Sequence, residues 1–536
     1  MDKRISLEQF RCGDDMATFA KAMAYMKENP GTTLIIPRGE YAITSELAKQ
    51  QLDDVLQGRF GPNPISIMFN HNYKHTKGVL IEGLKDCKII GENALLMVDG
   101  FMEPVCISHC ENFYMSGIRI DHKRKPYTRG TILSVSEPDE EGNSILEVET
   151  REEIFPGTPY SLRVMTFDPT TWTDYSWAIK VISHEYVDGH HAKAKVSGGK
   201  YAKPGMEFYS ALTYHSRPAI HLEYSENVLL EDCTIHSQPG MGLVGNRCEN
   251  VVVRRLSVVP SVGEHMSTNT DATHFTSMVG KLRLENCFIE NSGDDFTNVH
   301  GYYHKAVKMD SPRIVYTKEN SHEGTHTQSM DYPDVGGELE LTEFYTLKVV
   351  DKYKVLSVEL FEEERLVKME LDHDLPENME PYMLADTGRM PELEVVGCNL
   401  INHFARGVLL KCRSTLIENN TFRHIHGPAI VAAAETWCQE SIAPSNITIR
   451  NNRIISCGER FAEHDAGGIT IKNSCHQHVV CETENVLIED NIIECPNRNY
   501  GIYVENAKNV TIRNNKYHTK IGGALLEKCE NVVIDE

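Results

Sequence analysis

Asn485-Val486-Leu487-Ile488-Glu489-Asp490-Asn491-Ile492-Ile493 and Asn509-Val510-Thr511-Ile512-Arg513-Asn514-Asn515-Lys516-Tyr517 decide the fold. Both read as Asn, apolar, any, apolar, any, Asn or Asp, any, any, apolar. The same form recurs over 227–235 and 446–454, with related copies beginning at Asp86, Asn112, Asn250, Lys281 and Ser414 and a last one opening at Asn531. The intervals are 24 residues from Asn485 to Asn509, 22 from Asn509 to Asn531 and 23 from Asn227 to Asn250. A unit this short cannot bury its own apolar face, so neighbouring copies must stack. Alternation of period two within each copy specifies strands rather than helices. The expected fold is therefore all-β: a right-handed parallel β-helix. Asn286, Asn419, Asn451, Asp490 and Asn514 are expected at corners, hydrogen-bonding from coil to coil.

Outward from the repeat, Asp14 and Asp15 precede Met16, Phe19, Met23 and Met26, an apolar stripe at helical spacing that Pro30-Gly31 ends. A helix here caps the open cross-section of the solenoid. The repeat breaks twice, over 115 residues from Asn112 to Asn227 and 133 from Lys281 to Ser414. Alternating segments at 131–135 and 145–149 fill the first gap, and others at 345–350 and 355–360 fill the second. They predict two inserted, small, barrel-like antiparallel β-domains. The expected divisions are 1–122, cap and first coils; 123–214, first insertion; 215–301, central coils; 302–391, second insertion; and 392–536, last coils. Insertions in a solenoid gather on one face, so these are expected to wall a cleft.

Composition narrows the function. A formal net charge of −23 disfavours nucleic acid and anionic membranes as partners. No apolar run approaches the roughly 18 residues that span a bilayer, and the start, through Glu8, Arg11, Asp14 and Asp15, lacks the apolar core of a signal peptide. A cytoplasmic location is expected, or a secreted or periplasmic one if a leader has been removed. The fifteen cysteines, an odd number, read as reduced core fillers. Cys106-Ile107-Ser108-His109-Cys110 and Cys475-His476-Gln477-His478 with Cys481 lack a second ligand pair at zinc spacing, so the first reads as strand and the second as polar loop, and no metal is expected.

The candidate site lies between the two breaks: Asn269-Thr270-Asp271, Gly293-Asp294-Asp295 and Asn298-Val299-His300-Gly301. Asp271 and Asp294 are 23 positions apart, one coil, which puts them at equivalent places on backbones roughly 4.8 Å apart. Gly293 is expected to form a bulge that turns Asp294 and Asp295 to one side. A lone Asp-Asp is usually a solvated corner. A second acid one coil away, with Asn298 and His300 close behind, instead suits general acid and base work on a glycosidic bond. Gly240-Met241-Gly242-Leu243-Val244-Gly245 matches a nucleotide-binding fingerprint in form only: no room for the following helix remains between the repeat strands, and the glycines read as coil turns. His236, Arg406, Glu435 and Trp437 are further candidates for sugar binding, Trp437 by stacking on the apolar face of a sugar, and His274 lies near the acids. The chemistry needs no cofactor.

With these motifs in view, the chain resembles glycoside hydrolase family 110, the inverting exo-α-galactosidases that include α-1,3-galactosidases acting on blood group B-type and linear galactosides. Ala405-Arg406-Gly407-Val408-Leu409-Leu410 and the stretch 429–440, with Ala429, Ile430, Trp437 and Glu440, extend the likeness over nearly the whole chain. The resemblance implies an α-galactoside substrate, Asp271 as general acid, and Asp294 with Asp295 as the pair that activates water. Pectinase-like hydrolases share Asn-Thr-Asp and Gly-Asp-Asp on this fold, but their Gly-His-Gly and Arg-Ile-Lys do not occur here. A uronate lyase or epimerase and a non-catalytic carbohydrate-binding solenoid remain alternatives. A homodimer is an assembly that solenoid flanks allow.

Overall fold

A computed structural model describes residues 3–61, 64, 73–159, 164–167, 179–318, 330–458, 466–474 and 483–536. The Cys475 to Cys481 loop lies outside them. The repeat becomes coils of three strands. Ile220–Glu223, Glu226–Glu231 and Thr234–Ile235 make one, and Leu243–Asn246, Glu249–Arg254 and Ser257–Val258 stack on it in parallel register. The next coil is Thr273–Thr276, Val279–Glu285 and Phe288–Glu290. Alternate residues of each strand, such as Val228, Leu230, Val251, Val253, Leu282 and Leu284, point inward and form one continuous core along the parallel β-helix.

Asn286, Asn419, Asn451, Asp490 and Asn514 do occupy corners, each with a left-handed φ of 54° to 59°. Asn and Asp adopt that conformation at less steric expense than other side chains. Their expected coil-to-coil bonding is corrected, because the ladder runs one place further on. Asn420 Nδ2 donates to Asn452, Asn452 to Asn491 and Asn491 to Asn515, at 2.9–3.0 Å, while each backbone N–H donates to the next amide oxygen. These side chains are buried, so the ladder satisfies polar groups that would otherwise be costly. Of the nucleotide-like glycines, Gly240 and Gly242 sit where added Cβ atoms would meet backbone of adjacent coils at 2.3 and 2.4 Å, and Gly245 lies within a strand against Phe275.

The amino-terminal helix spans Asp15–Glu28, with Asp14 accepting from Ala17 N–H at its start, and packs Phe19, Ala22, Met23 and Met26 into the solenoid core. A second helix, Glu46–Leu56, is capped by Ser45. Its stripe of Ala48, Leu52 and Val55 was legible in the sequence but not read. The first insertion is an antiparallel sheet of six strands between Tyr127 and Ala211, with Ile132, Leu146, Val148, Val196 and Phe208 in its own core. In the second, the strand Thr297–Ser311 runs out of the solenoid and joins Ile314–Lys318, Leu366–Leu371, Val349–Phe361, Glu338–Glu343 and Tyr382–Asp386 in a ring that closes on Tyr303 and His304. The segment 345–350 is not one strand, since Leu347 has a φ of 62° and the strand begins at Val349.

Candidate active site

The three acids lie at the corners that lead into the first strand of successive coils. Thr273 pairs with Thr297 and Thr297 with Val408, so the residue two places before each strand forms a column of Asp271, Asp295 and Arg406. This corrects the one-coil assignment. The structural offset here is 24 residues, and Asp295 rather than Asp294 is the equivalent of Asp271. Gly293 makes this possible without a left-handed bulge: a Cβ there would lie 2.3 Å from the carbonyl oxygen of Asn269 on the adjacent coil. Residues 293 to 296 lie outside any strand, so the alternation of strand side chains does not separate Asp294 from Asp295. Asp271, Asp294 and Asp295 each bring one carboxylate oxygen within 4.8 Å of the others.

Three carboxylates so close need a counter-charge, and Arg406 supplies it. Its guanidinium donates to both oxygens of Asp295 at 2.8 and 2.9 Å, its backbone N–H donates to the same carboxylate, and its other edge meets Glu435 at 3.1 Å. Burial opposes the arginine's charge, but Asp295 and then Glu435 outweigh it and raise its pKa. Burial pushes the Asp271 carboxyl well above the usual carboxylate range, and Asp294 pushes it further. Burial also raises Asp295, with Arg406 pulling against the rise. Both carboxyls are thus displaced well upward, and Asp295 differs from Asp271 in carrying the arginine. Asp294 is half-buried while Asp271 and Asp295 are buried, so Asp294 is the acid most open to solvent.

Beyond the carboxylates, Asn298 and His300 lie on the strand that Asp295 leads into, and both are buried. The Asn298 amide donates to Glu440 at 3.1 Å and accepts from Lys411 at 3.0 Å. His300 is buried with its two ring nitrogens against Gly301 and His274. Asn269 was expected to bind substrate. Its buried Nδ2 instead donates to the carbonyls of Pro126 and Thr213, the two stems of the first insertion, at 2.9 and 2.8 Å. His236 accompanies the Val259 carbonyl and Arg119 rather than any of the acids. Arg406 and Glu435 are at the site, the arginine with 29% of its side chain exposed. Trp437 is 61% exposed on the short loop between Glu435 and Glu440.

Lys411 and Glu440 were not read as site residues. The fully buried Lys411 ammonium lies 2.7 Å from Glu440 and 3.1 Å from Glu435. Burial works against its charge, but Glu440 and Glu435 more than compensate and hold it above the ordinary lysine value. The signal was a single lysine ending the apolar strand Val408-Leu409-Leu410: a cation there needs buried partners. Elsewhere, Glu103, Cys106 and His221 place donor atoms within 4.8 Å of one another. Glu103 is already shared between His75 at 3.0 Å and His221 at 2.8 Å, and burial raises the Cys106 thiol far from its thiolate form. Of the stretch 106–110 expected as strand, Cys106 to Ser108 end the strand Glu103–Ser108 and His109 turns out of it with a φ of 53°.

The family described as "Right handed beta helix region" matches residues 385–536. Over its length the chain is similar to Alpha-1,3-galactosidase B of Bacteroides thetaiotaomicron, 22% identical across 93% of this chain and 78% of that protein. It is 24% identical to Alpha-1,3-galactosidase B of Phocaeicola vulgatus, across 96% and 92%, and to Alpha-1,3-galactosidase A of Akkermansia muciniphila, across 80% and 77%. Among solved structures, the catalytic unit of a GH87 alpha-1,3-glucanase from Streptomyces thermodiastaticus aligns over 99% of this chain and 68% of that one, at 9% identity and a TM-score of 0.40.

Proposed function

We propose that this protein is a glycoside hydrolase that removes terminal α-linked galactose, in α-1,3 linkage, from oligosaccharides or glycans. The observation that carries the reading is the convergence of three carboxylates within 4.8 Å, with Asp271 and Asp295 both raised by burial and Asp295 clamped by Arg406. Asp271 gives its proton to the glycosidic oxygen as the anomeric C–O bond breaks, and the bonding pair leaves with that oxygen. Asp294, the acid most open to solvent, takes a proton from the water that attacks the anomeric carbon. Asp295 with Arg406 fixes the corner and orients that water. The names of the relatives support galactose as the sugar and α-1,3 as the linkage.

Inversion is the proposed stereochemistry, since a partly exposed carboxyl beside a clamped neighbour suits a bound water. The close oxygens favour a second reading: carboxyl groups about 5 to 5.5 Å apart belong to retaining enzymes, in which Asp294 would attack directly, and about 6.5 to 9.5 Å to inverting ones. A panel of aryl and natural α-galactosides, with products followed by proton NMR in the first minutes, tests both levels. Release of β-galactose before mutarotation is expected. Initial α-galactose would establish retention, and turnover confined to uronides would remove the galactosidase reading altogether.

A further inference from the structure

The strands Glu103–Ser108 and Ile220–Glu223 pair in parallel, with Cys106 directly beside His221. In the chain the two residues are 221 − 106 = 115 positions apart, and the whole first insertion lies between them. Neighbouring strands stand roughly 4.8 Å apart, and the Glu103 carboxylate joins the pair from the start of its own strand. One donor atom from each of Glu103, Cys106 and His221 therefore lies within 4.8 Å of the other two. The three residues are 2%, 0% and 3% exposed. Glu103 Oε1 lies 2.8 Å from His221 Nδ1, and Oε2 lies 3.0 Å from His75 Nε2. His221 Nε2 is buried without a hydrogen-bond partner among the described residues, 3.7 Å from Glu223 Oε2.

We propose that Glu103, Cys106 and His221 form a zinc site that clasps the coils on either side of the first insertion. The site is separate from the three aspartates: the strand Leu243–Asn246 stands between His221 and the strand that follows Asp271. Thiolate, imidazole and carboxylate are the protein ligands zinc takes, and three of them leave a fourth, tetrahedral position for water. A thiolate with an imidazole selects zinc over magnesium or calcium. The ion's two charges are cancelled by the Glu103 carboxylate and the Cys106 thiolate, so the loaded site adds no net charge to the interior. On binding, the Cys106 thiol proton passes to solvent and the hydrogen bond between Glu103 and His221 gives way to a shared ion. Ligand atoms about 2.0 to 2.3 Å from a tetrahedral zinc stand about 3.5 Å from one another, so this pair parts by about 0.7 Å. With Nδ1 on the metal, His221 keeps its hydrogen on Nε2, towards Glu223, and Glu103 Oε2 keeps His75; such outer contacts orient metal ligands. Lys77 and Arg217 also face Glu103, and Lys77 faces the thiol. Lys77 is exposed, so its ammonium turns to solvent as the ion enters. The stretch 106–110 lacked a second ligand pair at zinc spacing because the histidine stands across the insertion.

Cobalt(II), a spectroscopic substitute for zinc, is the probe. Added in equimolar amount to the chelator-treated, reduced protein, it should give the visible bands of a tetrahedral ion and a near-ultraviolet thiolate-to-cobalt charge-transfer band, and zinc should abolish both. Cys106→Ser should remove the charge-transfer band, and Cys106→Ala does the same if the serine variant does not fold. His221→Gln should weaken zinc binding at least about tenfold, measured by competition with a chromogenic chelator. In wild type, zinc should raise the melting temperature in proportion to the logarithm of its concentration and slow proteolysis within 123–214. Absence of a thiolate band in the wild type, or a band that persists in a folded Cys106 variant, overturns the site. Cobalt bound without a thiolate band places the ion on the three aspartates and overturns it equally. Zinc bound at Cys106 with proteolysis of the insertion unchanged overturns the clasp. None of these readouts involves turnover, so the site stands or falls apart from the galactosidase reading.

Discussion

Replacing Arg406 by Met keeps the unbranched stem and removes the one guanidinium bound to the acid cluster. Asp295 would lose both side-chain donations, 2.8 and 2.9 Å in the native protein, and keep only the backbone N–H of residue 406. Removing one partner of a buried ion pair costs about 3 to 5 kcal/mol. Here the penalty depends on pH, because an abandoned carboxylate can take up a proton. In the variant the folded pKa of Asp295 rises further above its unfolded value of about 3.9. In wild type Asp295 is itself raised above that value, so the two proteins lose stability together until pH passes the wild-type folded pKa, and the deficit then grows by about 1.4 kcal/mol per pH unit up to the folded pKa of the variant. The deficit relative to wild type should therefore be larger at pH 8 than at pH 5. Urea unfolding followed by circular dichroism at the two pH values measures it. Adding Asp295→Asn to Arg406→Met should remove the extra pH dependence and recover about 2 kcal/mol. An equal deficit at both pH values, or no recovery in the double variant, would refute the assignment of Arg406 as counter-charge to Asp295.

Asp271→Asn and Asp294→Asn should each abolish most turnover of a natural α-galactoside while the fold persists. An aryl substrate with a good leaving group should recover more of its rate with the first than with the second, since it needs little protonation; parallel losses in steady-state assays would exchange or cancel the roles. Lys411→Met leaves Glu435 and Glu440 without their shared buried cation and should cost about 3 to 5 kcal/mol in a denaturant titration; a loss under about 1 kcal/mol would show the lysine to be dispensable. Asn269→Ala strands the carbonyls of Pro126 and Thr213 and should cost about 1 to 3 kcal/mol per group. Limited proteolysis should then cut within 123–214 faster than in wild type, and an unchanged cleavage rate would rule out a role in anchoring the insertion.

The solenoid was legible because each copy carries its own pattern, and the copies at 485 and 509 lie side by side as their interval requires. The acids were legible as a group for the same reason. Their register was not. Counting from Asp271 to Asp294 gives 23, whereas the strand pairing gives 24, and only hydrogen bonds between coils show which member of an Asp-Asp corner stands in the column. Asn269 belonged to a familiar tripeptide, yet nothing nearby in sequence indicated that its amide faces Pro126, 143 residues earlier. The Arg406 partnership spans 111 positions and the Asn298 to Glu440 bond spans 142. Such pairings arise because an insertion stands between two coils that touch, which local periodicity does not encode. His274 was noted only as near the acids; it is the second residue of the strand Thr273–Thr276, three positions after the acid at the corner.

That insertion also explains how a stacked sheet becomes a site with two kinds of parts. The column of Asp271, Asp295 and Arg406 inherits its spacing from the parallel coils, which hold these charges at matching places on adjacent backbones. The strand that carries Asn298 and His300 does not stop at the coil's end but continues into the closed ring of the second insertion. As it leaves, Gly301 and Tyr302 pair with Ser441 and Glu440 in antiparallel register. The loop 435–440 is thus fastened at Glu440 to the departing strand and at Glu435 to Arg406 and Lys411. Its exposed Trp437 stands between two anchors that both belong to the charge network. Lys411, buried between Glu435 and Glu440, ties the solenoid strand Val408–Leu410 to that loop.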